Sequence, residues 1–239
     1  MAGYWSRPRD EAAEKIECYM MKNQLKPHDK LPSERDLCEM WGMNRTTLRS
    51  AIKRLIVEGK VYNKKGAGTF VAEPKIVRNL QDMQSITELL TQHERGLKSH
   101  VTSFLEIPCN KYLSKKLRLP IGTKLYELVR IRLIDEEPVM LETSYLSVAQ
   151  FPKLATYDFS AQSLYDIIES HYGVFLMGGE EKIGITYTNM EESERLRVEK
   201  DTAVFSVKGT TWNENKEPVE YFQSIVRADK IKFSSVLKR

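Results

Sequence analysis

Apolar residues recur at helical spacing twice between positions 31 and 71, and then switch to strand spacing. Leu37, Met40 and Trp41 form one apolar face of a short helix. Ser33 precedes it as an N-cap, with Asp36 three residues on as a capping-box partner. Gly42-Met43 makes a turn, and Asn44 is placed to cap a second helix. There Leu48, Ala51, Ile52, Leu55 and Ile56 follow the i, i+3, i+4, i+7 rule of a buried stripe, and Gly59 supplies a left-handed stop. Val61-Tyr62-Asn63 and Thr69-Phe70-Val71 then read as strands around the tip Lys64-Lys65-Gly66-Ala67-Gly68. The pattern predicts helix, turn, helix and hairpin. An earlier helix over about residues 9–23 presents Ala13, Ile16 and Met20, with Ala12 and Tyr19, to the same core.

From position 80 the texture changes. Leu80 to Arg95 reads as a helix, Val101 to Ile107 as a strand and Asn110 to Leu117 as a short helix. Two long strands follow, Lys124 to Asp135 and Pro138 to Val148, joined at Glu136-Glu137. In the first, Leu125, Glu127, Val129, Ile131 and Leu133 point one way, and Tyr126, Leu128, Arg130 and Arg132 the other. Gln162 to Tyr172 is helical up to Gly173, Phe175 to Thr188 extended, and Glu191 to Glu199 helical. Ala203 to Asn213 and Pro218 to Ala228 end the series as strands. Strands in succession on tight turns, with helices between, predict an α+β domain on an antiparallel sheet. The division expected is 1–73 for the helical domain, 74–80 for a linker and 81–239 for the sheet domain.

Charge separates the same two pieces. Residues 1–75 hold 15 Lys+Arg against 10 Asp+Glu, a balance of +5. The remainder holds 37 − 15 = 22 against 33 − 10 = 23, a balance of −1. The positive excess therefore sits on the helix-turn-helix pattern, where a polyanion would bind. No apolar run is long enough to span a bilayer, and the start of the chain has no apolar signal core, so a cytoplasmic protein is expected. Cys18, Cys38 and Cys109 make no disulfide or metal pattern and are expected as buried reduced thiols. His28, His93, His100 and His171 are scattered, without Ser-His-Asp or metal spacing. No catalytic residue, metal ligand or cofactor is therefore expected.

The outer face of the second helix carries Arg45, Thr46, Arg49 and Lys53. Arg45 and Thr46 lie in its first turn, where a recognition helix meets base edges. A basic hairpin tip with glycines can approach phosphates closely. A solvated surface helix would also show a basic outer face; the attached hairpin favours DNA. LPSER, NRTTLR, the Glu58-Gly59 pair and GAGTFV, in that order, resemble the winged helix-turn-helix domain of the GntR family of bacterial transcription regulators. The resemblance implies DNA contacts by Arg35, Arg45, Thr46, Thr47, Arg49 and Gly66, with Lys65 on phosphate. It departs at Pro27-His28-Asp29, where the family usually has Pro-Gly-Asp.

In the second domain, Arg130 and Arg132 leave one face of one strand, and two guanidiniums on a buried face call for an anion. Ser163 and Tyr165 open a helix, which suits phosphate. Glu142 and Glu220 on neighbouring strands can accept hydrogen bonds from sugar hydroxyls. The alternative is a surface ion pair of the arginines with Glu142 or another carboxylate. LRLPIGTKLYELVRIRLIDEEPVMLETSYL, SLYDII and PVEYFQSIVRADKIKF resemble the UTRA effector-binding domain of the HutC branch of that family. The resemblance implies a fold similar to chorismate lyase on a six-stranded antiparallel sheet, and dimerisation through this domain. It further implies that Arg130, Arg132, Ser163 and Tyr165 hold a phosphate and that Glu142 and Glu220 hold the sugar. Ser85 aligns with another phosphate contact, and Val226 with an aromatic of some relatives. The expected function is a repressor, a homodimer on double-stranded operator DNA, released by a small anionic effector such as a phosphosugar. The rivals are an enzyme acting on a small anion in the lyase-like domain and an effector-independent DNA-binding protein.

Overall fold

The computed structural model describes residues 8–64, 66–80 and 97–236. Two compact units divide the chain, Met1–Ile76 and Val77–Arg239.

The first unit holds α1 (Pro8–Lys22), α2 (Glu34–Trp41), α3 (Arg45–Val57) and the hairpin β1 (Val61–Lys64) and β2 (Gly68–Val71). Both expected caps are present. Ser33 accepts from the Asp36 amide while the Asp36 carboxylate accepts from the Ser33 amide. The Asn44 side chain accepts from the Thr47 amide at 2.8 Å. Leu48, Ala51, Ile52 and Leu55 of α3 pack with Ala12, Ala13 and Ile16 of α1, Leu31 and Leu37. One expectation fails within α2: Met40 is 53% exposed, and Cys38 and Trp41 join Leu37 at the core. In so short a helix the side facing α3 is set by tertiary packing rather than by the full apolar stripe. Arg54 of α3 reaches Asp10 of α1, and Lys60 reaches Glu17.

Residues 28–31 lie along β2 with one isolated bridge, Lys30 to Phe70, through the His28 amide to Val71, the Val71 amide to Asp29 and the Leu31 amide to Thr69. His28 stands at φ +71°, the left-handed conformation that glycine adopts without strain. The departure from Pro-Gly-Asp thus places a side chain where the backbone favours none.

The second unit is built on one six-stranded antiparallel sheet in the order β4-β5-β6-β9-β8-β7. Its strands are β4 (Leu97–Pro108), β5 (Lys124–Ile134), β6 (Glu137–Ser147), β7 (Gly178–Tyr187), β8 (Ala203–Trp212) and β9 (Pro218–Arg227). Three helices interrupt them: α4 (Lys111–Leu117), α5 (Leu164–Tyr172) and α6 (Met190–Leu196). One sheet face carries Tyr126, Leu128 and Leu146, covered by Leu164, Ile167 and Ile168 of α5 and by Phe151, Leu154 and Phe159 of the preceding loop. The other face receives α4 through Leu113 and Leu117 against Leu125 and Tyr221. Within the stretch expected as linker, β3 (Ile76–Asn79) pairs instead with β10 (Ile231–Ser234). The expected helix to Arg95 and Ser85 lie outside the described residues, as does Lys65. Of the cysteines only Cys109 is buried; Cys18 is exposed and Cys38 half-buried, because Cys18 falls on the outer side of α1.

Candidate nucleic-acid interface and effector cavity

The turn after α2 sets the exit angle of α3: Gly42 caps α2 at φ +62°, and Asn44 starts α3 two residues on. Leu48 then points inward and Arg45, Thr46 and Arg49 outward, all three exposed. Thr47 is half-buried, its amide on the Asn44 side chain. Two arginines of this surface already hold carboxylates. Arg49 Nε donates to Glu34 Oε2 at 2.7 Å, and Arg35 Nε to Glu39 Oε1 at 2.9 Å. At the hairpin, Tyr62 stacks on Phe70 with ring centroids 5.6 Å apart. Gly66 takes φ +74° at the tip, in open space, a conformation strained for any other residue but compatible with a backbone laid against phosphate.

In the second unit the register places Arg130 opposite Glu142 and Glu142 opposite Ser224. Arg130, Arg132 and Glu220 are 2%, 4% and 2% exposed. Arg130 Nη2 donates to Glu142 Oε2 at 2.7 Å, and Arg132 Nε lies 3.5 Å from the same oxygen. Arg132 Nη1 also donates to Ser99 Oγ. The ion pair that sequence offered as an alternative therefore exists, but it is buried and one carboxylate serves two guanidiniums. Among the described residues, Nε and Nη1 of Arg130 have no hydrogen-bond acceptor. Burial and the charge of Arg130 push Arg132 down to about 10, so it stays protonated at neutral pH.

The two carboxyls diverge. Burial works to raise Glu142, but Arg130, Arg132 and Arg78 together hold it below the ordinary carboxylate range. Burial pushes Glu220 up, and the Glu142 charge adds to that. Tyr165 donates its hydroxyl proton to Glu220 Oε2 at 2.7 Å. Ser163 caps α5, accepting from the Asp166 amide. All six, Arg130, Arg132, Glu142, Ser163, Tyr165 and Glu220, line one cavity of about 490 Å³, within the range of small-molecule sites.

Residues with no sequence signal complete the walls. Arg78 of β3 and Glu181 of β7 enter it as an ion pair, and Met140, Met177, Trp212 and Phe222 form an apolar side. The register of β8 on β9 shifts between Thr211 and Trp212, which breaks the alternation and lets both neighbours line the cavity. Gly178 is required beside Trp212, whose indole leaves no room for a Cβ there. Val226 is fully buried and does not line the cavity.

A winged helix-turn-helix unit, followed in the chain by a unit whose sheet carries a charged cavity, defines a DNA-binding regulator with a ligand-binding module. The chain belongs to the GntR family: residues 8–71 match "Bacterial regulatory proteins, gntR family", and residues 92–232 match the UTRA domain. It is similar to the HTH-type transcriptional repressor NagR of Bacillus subtilis, 28% identical over 95% of this chain and 93% of that one. It is also similar to the probable fructoselysine utilization operon transcriptional repressor of Escherichia coli K12, 22% identical over 87% and 86%. Among solved structures, PhnF from Mycobacterium smegmatis superposes with a TM-score of 0.71 at 25% identity, covering 94% of this chain and 98% of that one. The chain is a transcriptional repressor of the GntR/UTRA type.

Proposed function

We propose that the protein is a homodimeric repressor that reads operator DNA through Arg35, Arg45, Thr46, Thr47, Arg49, Lys65 and Gly66. A small anion, most simply a phosphorylated sugar, releases it. The observation that carries the effector reading is Arg130: a guanidinium 2% exposed, beside a second buried guanidinium, with two of its nitrogens, Nε and Nη1, lacking acceptors among the described residues. A phosphate would supply both acceptors and the missing charge. Tyr165, Glu142 and Glu220 would then face the hydroxyls of the attached sugar. A relative named for fructoselysine utilization is consistent with a sugar-derived ligand.

Release requires that the ligand bind the DNA-incompetent arrangement more tightly, and operator DNA must weaken ligand binding by the same factor. The test begins with a thermal-shift panel of sugar phosphates; a ligand at 100 times its Kd adds roughly 2.7 kcal/mol. The stabilising compound is then titrated into a preformed complex with DNA selected by the protein from a random pool. Arg132→Ala should hold that DNA with wild-type affinity and ignore the ligand. Equal release of both proteins would remove the arginine pair as sensor, and a panel without any stabilising member would remove phosphosugars as the class.

A further inference from the structure

Arg78 is the third arginine of the cavity, and it comes from a different part of the chain than Arg130 and Arg132. It sits in the middle of β3, which starts five residues after Val71 ends the hairpin. Its guanidinium lies over the Phe233 ring, 5.8 Å from the centroid, and pairs with Glu181 of β7. Both side chains are largely shielded, at 18% and 25% exposure, and both line the cavity. The field of Arg78 reaches Glu142 and helps, after Arg130 and Arg132, to hold that carboxyl low against burial. Glu181 thus occupies, within the cavity, a guanidinium that points toward the same region as the buried pair.

We propose that Arg78 binds the anion together with Arg130 and Arg132, giving up Glu181 to do so, and that this exchange of partners carries ligand occupancy to β3. The proposal rests on the reading of the cavity as an anion site. Its physical basis is competition at one edge: Glu181 holds Nη2 of Arg78, so an anion that takes that edge of the guanidinium must displace it, and phosphate brings more charge and more acceptors. The strand that answers is the one leading out of the hairpin, so the cavity reports to β3 through Arg78.

The experiment uses the full chain and inorganic phosphate, followed by phosphorus NMR titration. Glu181→Gln removes the competitor and should tighten phosphate binding about threefold to tenfold. Arg78→Gln should weaken it by at least as much. In the Arg78→Gln background Glu181→Gln should have no effect, which separates partner exchange from a general change of charge. Hydrogen exchange supplies a second readout: phosphate should change the amide protection of residues 76–80 in the wild type and not in Arg78→Gln. Should Arg78→Gln fail to fold, Glu181→Gln alone decides. Phosphate bound by the wild type, with affinity unchanged in Glu181→Gln, would leave the anion site standing and remove the exchange. Phosphate not bound by the wild type at all would remove both.

Discussion

At the scale of single residues the cavity is an electrostatic compromise held by Glu142. Its carboxylate is the shared counter-charge of two arginines that are almost fully buried. Glu142→Gln should cost about 3–5 kcal/mol at neutral pH, because it leaves buried guanidiniums without compensation. The sign of the pH dependence follows from the direction of the shift. A carboxyl held below its ordinary value gives stability that is present above that value and lost as pH falls through the folded one. Urea unfolding across the acid range should therefore show a steeper loss in the wild type than in Glu142→Gln. Parallel slopes would mean that the pair contributes nothing. The arginines themselves were legible in the sequence because two positions apart on a strand means one face. Arg78 and Trp212 were not. One owes its place to β3 pairing with a strand over 150 positions later, the other to a register shift that no local pattern announces.

At the scale of elements, legibility followed local chemistry. The caps Ser33 and Asn44 are readable because a short polar side chain beside its own helix amides needs no distant partner. β5 is readable through alternation, which its burial follows over most of its length, whereas β6 is buried in runs. β7 shows no alternation in burial, being exposed at most positions, and its extent was recovered only coarsely. β3 lies in the stretch expected as linker because four residues with one charge carry too little pattern to announce a strand. Asn44 offers the cleanest test of an element. Asn44→Ala removes the acceptor for the Thr47 amide and should lower stability by about 1 kcal/mol. The same change frays the turn that presents Arg45 and Thr46, so DNA affinity should fall with it, whereas Asn44→Asp should keep both. Chemical denaturation and a gel shift read the two effects.

At the scale of the whole molecule, the small charge excess of the DNA-binding unit argues for two copies. A balance of +5 on residues 1–75 gives one winged domain only a modest hold on a duplex. A symmetric pair reading two half-sites squares the discrimination and fixes their spacing. The expected solution mass is twice 27.7 kDa without DNA, and twice 27.7 kDa plus the duplex with it. Light scattering at micromolar concentration that returns a single chain in both conditions would overturn the dimer.

The carboxylates that Arg49 and Arg35 hold have a consequence for the search along DNA. Under the proposed contacts, each arginine must leave Glu34 or Glu39 before it touches the duplex. Exposed pairs of this kind are worth about 0–1 kcal/mol. That is too little to oppose a guanine edge met in bidentate geometry, but comparable to what one loosely placed phosphate offers. With those contacts the two glutamates would act as resident decoys, lowering the protein's dwell on arbitrary sequence while leaving its grip on a matched site nearly intact.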